Sequence, residues 1–319
     1  MDGFLNVLKP SGITSHDLVL SVRRVSGEDR TGHLGTLDPM AVGVLPIALG
    51  TYRRLSEYFL GEDKRYLAEF RFGVTSDTGD MDGNVTETVQ ARGLSEGDVI
   101  STMPEFTGVI PQVPPAYSAL KIKGRRLYDW AREGIDVRIK PRNVAIHEFR
   151  LVGWKPGLTP RGLFSMKVGR GTYVRSLASS LGESLGCGAV VSYLLRVSSG
   201  AFHLKDSVTL RELKTAHAVE QSRVGVIDPL RALSAFPQFE IIPHALNKII
   251  HGVELSPGDF VNDAEVASRS EDQGTFLAYE RDATGFPRVL AVVYRREGRL
   301  RYEKVLTRES DMVANRRTD

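Results

Sequence analysis

Strands and helices that follow one another without regular βαβ spacing predict an α+β fold with a mixed or antiparallel central sheet. Three observations carry this expectation. Residues 66–74 alternate, with Tyr66, Ala68, Phe70, Phe72 and Val74 on one face and Glu69 and Arg71 on the other, the pattern of a half-buried strand. Val174, Leu177, Leu181 and Leu185 recur at helical spacing. Residues 276–280, 289–295 and 300–306 form short β-type runs parted by Gly-containing turns.

Each element has a local reason. Thr14 to Asp17 has the form of a capping box, and Leu18, Val22 and Val25 extend it into a helix over about 15–26. Residues 40–49 are an apolar, buried-type segment. Thr75 to Asn84 reads as an acidic, solvated turn, because it lacks the ligand spacing of an EF-hand loop. Ser95 caps a helix over 95–106, and a Pro-rich passage follows through Pro115. Phe164, Met166 and Val168 alternate with Ser165 and Lys167 as a strand. Gly169-Arg170-Gly171 then turns tightly into the Val174 helix, which Gly186 ends. Arg175 neighbours the apolar face of that helix without belonging to it, so it can reach outward near the helix start. Residues 189–197 are β-rich. Pro237 interrupts the pattern and sets a boundary near 234–240, ahead of a small β unit and a fraying tail after Arg308.

The chain has 319 residues, 41% hydrophobic and 25% charged, enough for a sizeable core and more than one domain. No apolar stretch reaches the ~20 residues of a membrane span. Lys9, Pro10 and Gly12 break any early signal-like run, and one cysteine excludes an internal disulfide framework. A cytoplasmic protein is expected. Net charge is only +3. Residues 120–142, however, set eight basic side chains, among them Lys121, Lys123, Arg125 and Arg126, against three acidic ones. Tyr117, Tyr128 and Trp130 are interleaved. This is either an RNA-facing surface or a solvated amphipathic helix with core aromatics.

The most informative stretch is Gly32-His33-Leu34-Gly35-Thr36-Leu37-Asp38-Pro39. It sets one carboxylate on a stiff turn backed by a buried element. On residue types alone, an Asp-Pro turn that only ends a loop is the simpler reading. Further along come Lys64-Arg65-Tyr66, Tyr117-Ser118-Ala119-Leu120-Lys121 and Gly171-Thr172-Tyr173-Val174-Arg175-Ser176. Leu185-Gly186-Cys187-Gly188-Ala189 and Tyr193-Leu194-Leu195-Arg196 complete the series. The seven histidines are scattered, with no cluster at metal-ligand spacing, no P-loop and no complete dinucleotide fingerprint.

Together with Asn6 to Asp17, these blocks, in this order, resemble the bacterial tRNA pseudouridine-55 synthase (TruB) family over about residues 3 to 203. The resemblance implies a pseudouridine synthase catalytic domain over 1–235, with a thumb-like RNA-binding insertion at 118–146. It implies a small PUA-like RNA-binding domain over 236–319, whose Gly and Asp signature is poorly matched. The implied activity is isomerisation of a T-loop uridine of tRNA, flipped from its stack, without metal or cofactor. Asp38 matches the family's catalytic aspartate, a nucleophile that a cation must keep charged in a dry pocket. Arg175 matches the arginine paired with it, and Tyr66 the aromatic that stacks on the base and is a candidate for proton transfer. Tyr173 and Leu194 match residues lining the uridine pocket, and His33 the histidine that fills the vacated space. Lys9 is expected to buttress the Asp38 loop, while Lys121 and Arg125 are assigned to the RNA. The T-arm of tRNA is the implied partner, with no membrane and no obligate protein partner, and a monomer is expected. A catalytically inert RNA-binding protein and a hydrolase with a carboxylate pair are the rival classes. The hydrolase needs a second acid that no matched block provides.

Overall fold

The computed structural model describes residues 2–87, 91–118, 120–122, 124–135, 137–218, 223–270 and 273–307. The side chains of Lys121 and Arg126, residues Lys123 and Asp136, and the tail after Arg308 lie outside the described residues.

The local signals act where the sequence placed them. The first helix runs Ser15–Ser26, with the Thr14–Asp17 capping box closed in both directions and Gly27 in the left-handed conformation at its C-cap. Ser95 and Asp98 close a second capping box at the start of Glu96–Thr102. The remaining residues expected in that helix, Met103–Phe106, form a 3-10 turn, because Pro104 cannot continue the α-helical bonding. The alternating strand runs Lys64–Phe72 and buries Ala68, Phe70 and Phe72. Val74 belongs to the next short strand, across a break at Gly73.

These elements assemble on one large sheet, mixed in sense as the α+β reading expected. Its order is Val226–Ile227, Gly3–Lys9, Val42–Leu49, Ala189–Ser199, Lys64–Phe72, Arg161–Val168, Arg142–Lys155 and Gly108–Gln112. Neighbours are antiparallel except Val42–Leu49 and Ala189–Ser199, which run parallel. At that seam Gly43, at φ 120°, lies against the Arg196 backbone, where a Cβ would come within 2.3 Å of its carbonyl oxygen. Only glycine allows such an approach. The Ser15–Ser26 and Val174–Ser184 helices pack their apolar faces on the main core of this sheet.

The C-terminal strands Gln238–Glu240, Phe276–Arg281, Pro287–Arg296 and Arg299–Val305 form a separate four-stranded sheet. It has a core of its own around Phe239, Phe260 and Phe276. A third apolar cluster joins it to the large sheet, uniting Phe4, Tyr52, Leu55 and Phe59 with Leu277, Val289 and Val292. Within that cluster the buried Tyr52 hydroxyl accepts from the Val289 N–H at 2.7 Å. Tyr58 adds a 2.6 Å bond to Glu303. The small sheet is therefore seated firmly on the Gly50–Phe59 turn.

The basic stretch is not one amphipathic helix. Its backbone forms a Lys121–Ile122 and Arg125–Arg126 hairpin followed by a single helix, Leu127–Arg132.

Candidate active site

Asp38 sits in the loop between the Thr31–His33 and Val42–Leu49 strands, and every carbonyl of residues 35 to 41 in that loop accepts a hydrogen bond. Arg196 donates to Gly35 at 3.1 Å and Thr36 at 3.0 Å. Ser15 Oγ donates to the Leu37 carbonyl and accepts from its N–H. Ala41 N–H bonds Asp38, and Gly12 N–H bonds Pro39. Lys9 Nζ reaches Pro39 at 3.0 Å and Ala41 at 2.8 Å, and Ser11 Oγ reaches Met40. A loop with no idle carbonyl has few alternative conformations, so the Asp38 side chain is held before any ligand arrives.

Two of these donors are buried cations spending themselves on backbone oxygens. Lys9 and Arg196 are 0% and 1% exposed. Arg196 follows Leu194 in the inward phase of its strand, and that legible oddity marks a core arginine with a structural task. Burial pushes the Lys9 ammonium down to about 8, opposed by the charge of Asp38. The sign follows directly: in the folded chain Lys9 loses its proton at lower pH than it does unfolded. A neutral amine cannot donate to all three of its carbonyls, Pro10, Pro39 and Ala41. Turnover is therefore expected to fall as pH rises through about 8. A pH–rate profile flat to pH ~10, the ordinary lysine range, would show that the ammonium is not needed.

Facing the loop, Arg175 starts its helix at a place where a cation opposes the helix dipole. Carboxylates supply the compensation. Its Nε and one terminal nitrogen grip the two oxygens of Asp38 at 2.9 and 3.1 Å. The rest of the fork bonds the Thr78 carbonyl at 2.8 Å and the Tyr117 carbonyl at 3.0 Å. The Arg175 side chain is 6% exposed, that of Asp38 30%. The pair thus has one sealed member and one facing outward.

A second acid joins them. Asp80 lies 3.5 Å from the Arg175 guanidinium, with a side chain 7% exposed. It belongs to the Thr75–Asn84 segment, whose reading as a solvated turn holds for the exposed Asp77, Asp82 and Asn84 and fails at Asp80. Asp80 is drawn in by Arg175, by the Thr78 hydroxyl at 2.6 Å and by the Asp82 N–H at 3.1 Å. Gly79, at φ 75°, lets the turn press on Arg175, whose Cβ would stand 3.2 Å from an added methyl. In the sequence nothing marks Asp80 out from Asp77 or Asp82; in the fold its contact with Arg175 does, together with its bonds to Thr78 and Asp82.

The remaining candidates divide. Tyr66, half-buried, lies on the central strand between Met166 and Arg196. Leu194 is 3% exposed and part of the main core. Tyr173 is the N-cap residue of the Arg175 helix. His33 ends its strand with Nδ1 buried and without a partner. Burial, with Arg196 and His16 nearby, holds its imidazole below the usual range, so it is neutral at pH 7. Arg125 pairs with Glu133 and lies 4.6 Å over the Trp130 ring. The insertion thus spends part of its positive charge internally. Among the described residues no cluster of three or more His, Cys, Asp or Glu could hold a metal ion. No helix there is long and apolar enough to cross a membrane.

Comparison with known proteins places this geometry. Residues 23–174 match the TruB family pseudouridylate synthase N-terminal domain, and residues 175–254 the tRNA pseudouridylate synthase B C-terminal domain. The tRNA pseudouridine synthase B of Symbiobacterium thermophilum is 44% identical over 253 residues, covering 79% of this chain and 83% of that one. The Moorella thermoacetica protein of the same name is 42% identical over 286 residues, covering 88% and 93%. Among solved structures, a Cbf5-Nop10-Gar1 complex aligns over 97% of this chain and 86% of its counterpart, at 26% identity and TM-score 0.68. The two family matches meet end to end inside the helix that presents Arg175, and the relatives match through most of their length: the chain belongs to the TruB family of pseudouridylate synthases.

Proposed function

We propose that this protein isomerises uridine 55 in the T-loop of tRNA to pseudouridine, with Asp38 as the nucleophile. The observation that carries the reading is the carboxylate on a fully bonded loop, gripped from its buried side by Arg175 and open on the other. The reaction exchanges the N1–C1′ bond for a C5–C1′ bond; a proton leaves C5 and another ends on N1. No atom is oxidised, so the chemistry asks for a charged carboxylate, a proton acceptor and a pocket that retains the detached uracil.

In this scheme Arg175 pairs with the Asp38 carboxylate and aims it, and Tyr66 stacks on the base and takes part in proton transfer. Tyr173 and Leu194 line the uridine pocket. A neutral His33, with its free Nδ1, fills the space left by the everted nucleotide. Extrusion costs a few kcal/mol, which contacts to the T-arm must return. The insertion at 118–146, with Lys121 and Arg125, supplies part of them. Residues 236–319 act as a PUA-like RNA-binding domain, residues 1–235 as the catalytic domain, and the protein works as a cytoplasmic monomer without cofactor. Asp80 does not turn the site into a hydrolase pair, because its oxygens are occupied and buried.

Mapping pseudouridine in a tRNA transcript after incubation with the purified protein and a chelator tests the activity. Pseudouridine at position 55 is expected; release of free uracil, or no modification, overturns the reading. Neutralising Lys121, Lys123, Arg125 and Arg126 together is expected to weaken T-arm binding and flatten its salt dependence, by a slope of roughly 0.7–0.9 per lost phosphate contact. Unchanged affinity would place the RNA surface elsewhere.

A further inference from the structure

A buried polar side chain at the edge of the large sheet has no part in the chemistry above. Gln112, the last residue of the Gly108–Gln112 strand, is 5% exposed. Its Nε2 donates to the Tyr173 carbonyl at 3.1 Å, and its Oε1 accepts from the Tyr173 N–H at 2.8 Å. Such a reciprocal pair fixes one backbone residue in both directions, as a neighbouring strand would. Tyr173 is the N-cap of the Val174–Ser184 helix and makes no side-chain cap bond of its own. The Gln112 amide is what holds the N-cap residue itself at the helix entrance. Two more bonds run the same way: Ser176 Oγ donates to the Val113 carbonyl at 2.7 Å, and Arg175 to that of Tyr117. Residues 112–117 thus hold the helix at positions 173, 175 and 176, immediately before the chain enters the basic insertion.

We infer that Gln112 is a positioning residue: by clamping Tyr173 it sets the place of the helix's first turn, and with it the register of the Arg175 guanidinium on Asp38. The inference rests on the activity proposed above. It has a mechanical basis, since the guanidinium meets five oxygen atoms from four residues and tolerates little displacement. A shift of about 1 Å in such a group costs up to ~100-fold in rate.

The test compares wild type, Gln112→Met and Gln112→Glu in single-turnover conversion of a T-arm transcript at saturating protein, across pH. Methionine keeps the volume and loses both amide bonds. Its rate is expected to fall roughly ten- to a hundred-fold while RNA affinity stays within about two-fold. An ionised glutamate keeps the acceptor but sets an oxygen against the Tyr173 carbonyl; protonation restores a donor there. The Gln112→Glu rate should therefore recover towards wild type as pH falls, and the Gln112→Met rate should not. Wild-type rates in both variants, a deficit explained by RNA affinity alone, or identical pH profiles for the two would overturn the inference. Should either variant fail to fold, hydrogen exchange at the Tyr173 N–H of the wild-type protein decides: protection is expected, and exchange at the free-chain rate overturns it. A wild-type protein that makes no pseudouridine is a distinct result, which removes the functional reading first and this inference with it.

Discussion

Asp38→Asn is expected to abolish pseudouridine formation, by at least about 10⁴-fold, while T-arm binding is largely kept. The amide is nearly isosteric but cannot act as a nucleophile, so it removes the reacting group without emptying the site. The loop should stay in place, because its bonds run through backbone carbonyls to Lys9, Arg196, Ser15 and Ser11. Arg175 also keeps Asp80 and the Thr78 and Tyr117 carbonyls. Thermal unfolding should therefore change little. Measuring turnover, affinity and melting on the same preparation separates the outcomes. A variant that still modifies tRNA would remove Asp38 as nucleophile, and one that no longer melts cooperatively would show that the carboxylate serves the fold.

Arg175 should give the opposite combination, losing stability and activity together. In Arg175→Met, Asp80 remains buried with no cation, and two carbonyls lose their donor. Breaking a buried pair from one side costs about 3–5 kcal/mol, because an uncompensated charge is left behind. Arg175→Lys keeps the charge but has no planar fork to span both Asp38 oxygens and reach the carbonyls as well. Its rate is expected to drop roughly 100-fold or more, with a smaller stability loss. Adding Asp80→Asn to Arg175→Met should restore part of the melting temperature and none of the rate. Full turnover in Arg175→Lys would show that any nearby cation suffices, and that bidentate aim is not part of the mechanism.

Which parts of this arrangement were legible beforehand follows the range of the interactions. The Ser15–Ser26 helix was readable because Thr14, Asp17 and Gly27 act within a few residues. The Lys64–Phe72 strand was readable because alternation is a local property. Pairing Asp38 with Arg175 came only from the resemblance of ordered motifs to a family, since 137 residues separate them. For the same reason Asp80 does not stand out in the sequence: among several acids in a polar turn, the buried one meets a partner far along the chain. Gln112 carried no signal at all, being one amide at a strand end whose partner backbone lies 61 residues away.

The sequence by itself determined the Ser15–Ser26 helix and its caps, the Lys64–Phe72 and Arg161–Val168 strands, the Val174–Ser184 helix and the family, since periodicity and capping act between near neighbours and the motifs stand in order along one chain. Only the tertiary structure decided that Arg196 joins Lys9 in holding the Asp38 loop, which second acid faces Arg175, and how the C-terminal sheet is seated. Those choices depend on strand order, through which the parallel seam at Gly43 brings the Arg196 strand against the loop. Burial then makes every unpaired charge or carbonyl costly enough that the chain must supply a partner from wherever the fold has placed one.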